Sequence, residues 1–352
     1  MTGDMTAAGL LTGPPRSRTA EPAVAAELPG WAGRLVAAAR PAGEDIGAAL
    51  RLAREHGRAL PLPGDGRTAE RWAVLAAVAE CSLTVARVLE AHSDALAVLA
   101  EAGHPPPDGT WGVFADEAPH QRVDACRSAL TGVKPWCSLA GHLDSALVTA
   151  HIGDDRQLFA VGLRHPSVTV DPPGDWVARG LRTVTSQAVR FDATPARPVG
   201  GPGWYLTRPG FAWGAIGVAA CWHGGALGLQ DTLLRASAAR GGDLAAMHAG
   251  IVDAALYASQ AALARAARDL DAGRAVGAAG DVLALRVRAV VADAVERTIK
   301  QVGHALGPAP LAFDEEHARR VADLELYVRQ HHAERDLARL GAAITARGQD
   351  AG

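Results

Sequence analysis

Two short stretches hold the side chains with the clearest chemical potential, and the first lies near the middle of the chain. In "LTGVKPWCSLAGHLDSALVTA", residues 130–150, Lys134, Trp136 and Ser138 stand where the sequence changes from polar to apolar. An indole offers a broad apolar face, and a serine hydroxyl both donates and accepts hydrogen bonds. These residue types occur in ligand contacts, but a core tryptophan beside a buried serine has the same pattern.

The second stretch lies near the C-terminal end, where "RQHHAERD" brings His331 and His332 close to Glu334. An imidazole titrates near neutral pH and can act as a general base, with the carboxylate as a second choice. A pair of exposed or capping histidines on a charged helix is the alternative interpretation. Helical spacing does not bring His317 onto the same face, so we predict no metal site.

The composition is that of a globular protein and excludes several functional classes. The chain has 352 residues, 49% hydrophobic and 21% charged, with a net charge of −3. This balance favours neither nucleic acid nor an anionic membrane as a partner. Four cysteines without C-x-x-C spacing predict free thiols in a reducing compartment. With no signal-peptide pattern in residues 1–22 and no apolar run of membrane-spanning length, we expect a cytoplasmic protein.

The elements that must position these side chains follow the order helices, strands, helices. We predict an α+β fold with four segments: a flexible tail (1–22), an N-terminal helical domain (23–105), a central antiparallel β domain (106–203) and a C-terminal helical bundle (204–346). The bundle is predicted to hold four long helices, at 216–239, 243–272, 281–306 and 315–346. Glycines in "GFAWGAIG" and "GGALGLQ" follow no strand, so close helix packing explains them better than a dinucleotide site.

Four stretches, in this order, carry a resemblance to the acyl-CoA dehydrogenase family over roughly residues 60–341. They are "LPLPGDGRTAERWAVLAAVAECSLTVARVLEAHSDALAVLAEAG", "LTGVKPWCSLAGHLDSALVTA", "GLRTVTSQAVRFDATPA" and "GVAACWHGGALGLQDTLL". The second resembles the family's G-x-K-x-W-I-T/S strand, and the third its G-x-R-x-T/S segment. The resemblance implies a helical–β–helical flavoprotein that binds FAD.

The resemblance also implies a set of cofactor contacts. Trp136 would lie against the isoalloxazine ring, and the Ser138 hydroxyl would face the ring's polar N5/O4 edge. Lys134, with the glycine before it, would turn the chain into the strand. Four further residues complete the implied cofactor site: Arg182 and Thr183 of the third stretch, His304 in place of a usual glutamine, and Gly307 of the phosphate-side turn.

The sequence departs from the family where the chemistry needs a carboxylate. An ungapped match of "LGPAPL" to the family's L-G-G-x-G-F/Y places the catalytic glutamate position on His331. Other branches carry the base ahead of the first bundle helix, but residues 194–230 contain no Asp or Glu. Pro308 and Pro310 also remove backbone N–H donors from the turn that would face the cofactor's phosphates.

Three functions therefore stay open. The first is a flavin-dependent oxidoreductase acting on the CH–CH group of an acyl-CoA thioester or related carbonyl compound, with an electron acceptor as partner. The second is a flavin-dependent monooxygenase of the same fold that takes reduced flavin from a partner reductase. The third is a non-catalytic relative. The resemblance and the Ala-rich helix faces predict a homodimer or homotetramer.

Overall fold

The computed structural model describes residues 28–105, 107–174 and 176–350, so the predicted tail of residues 1–22 lies outside the described part of the chain. The first described elements are four helices, α1 (Gly30–Ala42), α2 (Ile46–His56), α3 (Thr68–Cys81) and α4 (Leu83–Glu101). Ser82 separates α3 from α4 because its extended backbone ends one helix while its hydroxyl accepts the Val85 N–H at 3.2 Å and caps the next.

Seven strands follow and form one closed sheet. They are β1 (Trp111–Phe114), β2 (Val123–Cys126), β3 (Ala129–Ser138), β4 (Ser145–Ile152), β5 (Asp155–Gly162), β6 (Val168–Val170) and β7 (Ser186–Val199). The order β4–β2–β3–β7–β5 returns to β4 through the β4–β5 pairing, which makes a small barrel, and β6 pairs with β7. Closure leaves few strand edges unpaired.

The barrel corrects the prediction of a purely antiparallel β domain. Both β1 and β2 pair parallel with β4, whereas the other pairings are antiparallel. β1 lies against residues 145–148 and β2 reaches His151, so the two short strands follow one another along the same edge of β4. The chain therefore continues in one direction through the intervening loop, and turn signals alone do not reveal this.

Helices, two of which have only four and five residues, form the rest of the described chain. They are α5 (Trp204–Thr207), α6 (Pro209–Arg240), α7 (Asp243–Asp271), α8 (Gly277–Leu306), α9 (Ala309–Phe313), α10 (Glu315–Tyr327) and α11 (Glu334–Asp350). α6 packs against α3, α7 and α8. Gly224 and Gly225 of α6 leave no room for a Cβ beside Ala76 and Leu83, so these glycines serve close helix packing as predicted. No helix among the described residues is long and apolar enough to cross a membrane.

The predicted fourth bundle helix, residues 315–346, is broken in the structure. α10 ends at Tyr327, a 3-10 turn covers Val328–Gln330, and α11 begins at Glu334. Groups distant in sequence or one turn ahead stabilise the break: Arg288 of α8 donates to the Gln330 carbonyl at 2.6 Å, and Asp336 accepts the His332 N–H at 3.1 Å. Neither glycine nor proline marks this position, so helix-breaking signals could not show it.

Candidate functional site

Trp136 lies on the outside of the barrel in an unusual backbone conformation. Its φ is +52°, and its side chain belongs to the exposed large apolar residues, at 55%. The β3–β7 register shifts between Lys134 and Cys137, because Pro135 has no N–H to donate to the neighbouring strand. Left-handed backbone costs a non-glycine residue roughly 1–2 kcal/mol. A strained, exposed tryptophan is typical of a functional position rather than of a packed core.

A pair of hydroxyls lies two residues further along the same strand. Ser138 Oγ is 2.8 Å from Ser186 Oγ of β7, and both side chains are half-buried. Each hydroxyl keeps hydrogen-bonding capacity beyond this contact. The barrel thus presents an apolar ring surface with a polar edge beside it.

Lys134 lies on the opposite side of the strand, inside the barrel. Its ammonium donates to the Thr149 carbonyl at 3.1 Å and to the Thr149 hydroxyl at 2.8 Å. Burial lowers the pKa of Lys134 to about 8. The Lys134 amine is therefore engaged inside the barrel. The structure does not bring it together with Trp136 as a cofactor contact.

A small cavity separates the barrel from α4. Its volume is about 20 Å3, roughly that of one water molecule, and Arg87, Ala91, Trp111, Phe114 and Ser138 are among the residues that line it. The cavity does not accommodate a large ligand. It does place the Ser138 strand and the Arg87 face of α4 around the same small space.

The side chain of Arg87 belongs to a buried polar cluster that joins α4 to α10. Arg87 Nη1 donates to Glu90 Oε2 at 2.9 Å, and Tyr327 donates its hydroxyl to the same oxygen at 3.3 Å. Burial raises the pKa of Glu90, although the neighbouring Arg87 acts in the opposite direction. Tyr327 in turn packs edge-on against the fully buried Trp222. Sequence reasoning missed this cluster because its members lie on three helices.

Two more carboxylates of α4 face the start of α6. Glu101 accepts the Arg208 guanidinium at 2.5 Å and the Gly210 N–H at 3.1 Å. Asp94 lies against Gly214, where an added Cβ would be 2.8 Å from Asp94 Oδ1. Within the described part of the chain, no hydrogen bond reaches the Asp94 carboxylate. Residues 194–230 lack acidic residues, but the fold supplies carboxylates to this region from α4.

The predicted base candidates at the α10–α11 break occupy different environments. His331 is buried, its Nε2 has no hydrogen-bond partner among the described residues, and burial lowers its pKa. The exposed His332 lies 3.5 Å from the Asp336 carboxylate. Glu334 is exposed in the first turn of α11. Of the three, His331 alone combines burial with an unused nitrogen.

Arg182 and Thr183 contact the loop between α1 and α2. Arg182 pairs with both carboxylate oxygens of Glu44 at 2.7–3.1 Å, and Thr183 donates to the Glu44 carbonyl at 3.1 Å. Nearby, Asp323 of α10 accepts the Leu181 N–H at 2.5 Å. The segment therefore fastens the barrel to the helices on either side, and in the single chain its polar groups are already occupied.

His304 and Gly307 lie at the C-terminal end of α8. The His304 ring is exposed and stands edge-on to His248, with ring centroids 6.4 Å apart. Gly307 has φ +68° and donates its N–H to the Gly303 carbonyl, so it closes the helix. The structure gives these two residues no contact with the Trp136 region.

The thiols and the metal-ligating groups contribute little to this arrangement. The four cysteines are free, as predicted, and Cys137 and Cys221 are buried. Burial raises the pKa of both buried thiols, which keeps them protonated and unreactive. Over the described residues, no group of three or more His, Cys, Asp or Glu side chains is arranged to hold a metal ion.

Comparison with known proteins gives matches in structure and none in sequence. No protein-family model matches the chain, and no curated protein matches it. TdsC from Paenibacillus sp. A11-2, in a complex with FMN and indole, superposes with a TM-score of 0.74 at 16% identity over 88% of this chain and 95% of TdsC. Butyryl-CoA dehydrogenase from Megasphaera elsdenii gives a TM-score of 0.74 at 14% identity, over 92% of this chain and all of that one.

A third structure extends the range of chemistry found on this fold. The nitrososynthase from Micromonospora carbonacea var. africana gives a TM-score of 0.72 at 18% identity, over 92% of this chain and 94% of the nitrososynthase. The chain therefore has the acyl-CoA dehydrogenase fold, as the resemblance predicted. At these identities the likeness establishes the fold, and the chemistry must be argued from the side chains.

Proposed function

We propose that the chain is a flavin-dependent oxidoreductase that holds the isoalloxazine ring of a flavin against Trp136 and Ser138. One observation carries the proposal: an exposed, conformationally strained indole lies beside a hydroxyl pair on the barrel. The residues present fit a flavin ring, which has an apolar face and a polar edge of nitrogens and carbonyls. Butyryl-CoA dehydrogenase and TdsC, the latter with FMN, share the fold.

The choice between FAD and FMN depends on the phosphate side. The resemblance implies FAD, with His304 and Gly307 near its adenylate end. Pro308 and Pro310 lack N–H donors, however, and TdsC is bound to FMN, which has no adenylate. Titration of the purified protein with each flavin, followed by chromatography of the flavin released on denaturation, distinguishes the two.

The first candidate reaction is dehydrogenation beside a carbonyl group, in which the substrate loses a proton and a hydride from adjacent carbons. A bound oxidised flavin would supply the two-electron acceptor. The chain must supply the proton acceptor, and the structure adds Asp94 to His331, His332 and Glu334 as a candidate. Asp94 is favoured among carboxylates because no residue that the structure describes donates a hydrogen bond to it, whereas Glu90 and Glu101 are hydrogen-bonded.

The second candidate is oxygenation by reduced flavin delivered from a partner reductase. His331 favours it, because a buried imidazole with a lowered pKa stays neutral at pH 7 and its unpaired nitrogen can exchange a proton with a bound oxygen-containing group. The glutamate position of the resemblance falls on this same residue. A non-catalytic relative would need no such unpaired group.

A spectroscopic titration separates these functions. We expect the purified protein to bind flavin, with Trp136→Ala weakening the affinity. Bleaching of the oxidised complex by butyryl-CoA, abolished by Asp94→Asn, would support dehydrogenation. Tight binding of reduced flavin only, with oxygen consumption that needs a reductase and falls in His331→Gln, would support oxygenation. Binding of neither oxidation state would exclude both reactions and leave the non-catalytic alternative.

The assembly proposed with this function is a homodimer or homotetramer. The resemblance implies a flavin held between the β domain of one subunit and the helices of another. Leu244, Met247 and Tyr257 of α7 are 73%, 47% and 64% exposed, which is unusual for apolar residues of a monomer. Light scattering at micromolar concentration tests the proposal, and a monomer would contradict it.

A further inference from the structure

The Arg87 side chain is placed where it can act on a group bound at Ser138. Arg87, Val88 and Ala91 line the α4 side of the cavity, and Ser138 and Leu139 line its barrel side. Residues four apart on a helix lie one above the other, so Arg87 and Ala91 form a continuous strip that faces the barrel. Among the residues that line this cavity, Arg87 is thus the cation, and it lies on the side opposite Ser138.

Arg87 is held firmly by its partners. Glu90 accepts its guanidinium at 2.9 Å, and the guanidinium carbon lies 5.9 Å from the centre of the Tyr327 ring. The Arg87 and Glu90 side chains are 18% and 9% exposed. A buried ion pair adds little net stability over apolar residues of the same volume, because desolvation offsets the attraction. The position of this pair beside the cavity is therefore consistent with an electrostatic role in addition to a structural one.

A fixed cation near a flavin ring has one definite effect. Reduction adds negative charge to the ring, and a nearby positive group stabilises the reduced form more than the oxidised form. The effect is large where water is excluded, because the interaction is weakly screened. A carboxylate paired with the cation reduces the effect by partial compensation.

We infer that Arg87 tunes the reduction potential of the flavin at Ser138, and that Glu90, held by Tyr327, sets how much of the positive charge reaches the ring. This inference rests on the flavin site proposed above. Arg87 is a positioning residue in this scheme, acting through the electrostatic field rather than by accepting or donating a substrate proton. The variants that remove the cation and its counter-ion must then shift the potential in opposite directions.

The test measures the affinities of the whole protein for oxidised and for reduced FMN and FAD, together with the potential of the bound flavin. We expect Arg87→Met to lower the ratio of reduced to oxidised affinity about tenfold, equivalent to a potential about 30 mV lower. Glu90→Gln, which removes the counter-ion of Arg87, should raise the ratio several-fold. Arg87→Lys keeps the charge and should stay within about threefold of the wild type.

Arg190→Met serves as the matched control, because it breaks an exposed barrel ion pair with Asp171 away from the cavity. Thermal unfolding of each variant verifies that it folds, and Glu90→Gln tests the inference independently if Arg87→Met does not. Flavin bound at an unchanged potential in both Arg87→Met and Glu90→Gln would overturn the inference and leave the flavin site standing. A wild-type protein that binds neither flavin in either oxidation state would overturn both.

Discussion

Asp94 and Glu101 lie on one face of α4, about two turns apart, and both approach the start of α6. Within the described part of the chain, Glu101 alone of the two is hydrogen-bonded there. Glu101 neutralises the buried Arg208 and caps α6 through the Gly210 N–H. Asp94 rests against Gly214, and no described residue donates a hydrogen bond to its carboxylate. The two tryptophans Trp222 and Trp136 differ in their packing, since Trp222 is buried against Tyr327 whereas Trp136 is exposed and strained. Glu101 and Trp222 have their partners within the chain and hold the fold, whereas Asp94 and Trp136 remain available as candidates for ligand contacts.

The largest effect on stability is expected at Glu101, the hydrogen-bonded carboxylate at the C-terminal end of α4. Glu101→Ala leaves Arg208, whose side chain is 3% exposed, without its counter-ion, and also removes the cap of α6. Breaking such a pair typically costs about 3 kcal/mol or more. We expect a loss of that size in the free energy of unfolding measured with urea.

Asp94→Asn is the matched control for Glu101→Ala. It removes a carboxylate from the same helix face without breaking a hydrogen bond, and we expect its free energy of unfolding to stay within about 1 kcal/mol of the wild type. Equal destabilisation by the two substitutions would remove the contrast between Asp94 and Glu101.

A second large effect is expected in the pH dependence of stability, and it arises from a buried, hydrogen-bonded histidine. His92 accepts the Trp111 N–H at 3.1 Å, and burial lowers its pKa from 6.5 to about 4. The unfolded chain therefore binds more protons between these pH values, so stability is lost as the pH falls from 6.5 to 4. A shift of this size corresponds to about 3 kcal/mol, and His223, also lowered to about 4 by burial, adds to it.

Asp323 opposes the histidines over part of the same range. Burial raises the pKa of Asp323 from 3.8 to about 6. The folded state therefore binds more protons than the unfolded state between these pH values, and the stability that Asp323 contributes is lost as the pH rises from 3.8 to 6. Urea unfolding between pH 4 and 7 should give a shallower rise of stability in His92→Gln and a steeper rise in Asp323→Asn than in the wild type. A rise of the same slope in all three proteins would show that these groups do not set the pH dependence.

The sequence predicts the elements better than it predicts their partners. Helical periodicity locates α4 and α6–α8, and the residue types of the "KPWCS" segment are enough to single out Trp136 and Ser138. The sequence pattern does not identify Asp94 or the Arg87–Glu90–Tyr327 cluster, because each residue fits the pattern of its own helix. Their contacts form only where different helices pack together. The parallel pairing of β1 and β2 with β4, and the helix break before His331, depend on similarly distant contacts.

A smaller effect is expected at Trp136, and it distinguishes binding from stability. Trp136→Gly removes the indole and places glycine, which tolerates positive φ, at a strained position. Flavin affinity should fall by about 1 kcal/mol or more, at least about fivefold, since an aromatic contact is lost. The free energy of unfolding should remain equal or rise, because the strain is relieved.

Leu139 provides the control for Trp136, since it also has positive φ, +58°, but its side chain is buried. Leu139→Gly should destabilise the protein by loss of core packing. If Trp136→Gly instead lowers stability and leaves flavin affinity unchanged, the indole is a structural group and the proposed cofactor contact is wrong.

The smallest effect is expected at Arg182, where the resemblance and the structure differ most in what they suggest. The resemblance implies a cofactor contact, but the guanidinium is paired with Glu44 and its side chain is 64% exposed. Ion pairs that involve a solvent-exposed guanidinium contribute little to stability, so Arg182→Met should leave the free energy of unfolding nearly unchanged. Since both carboxylate oxygens of Glu44 already occupy the guanidinium, flavin affinity should not change. A loss of flavin affinity as large as that of Trp136→Gly would mean that Arg182 exchanges Glu44 for the cofactor, and the division between satisfied and unsatisfied groups would then fail at this position.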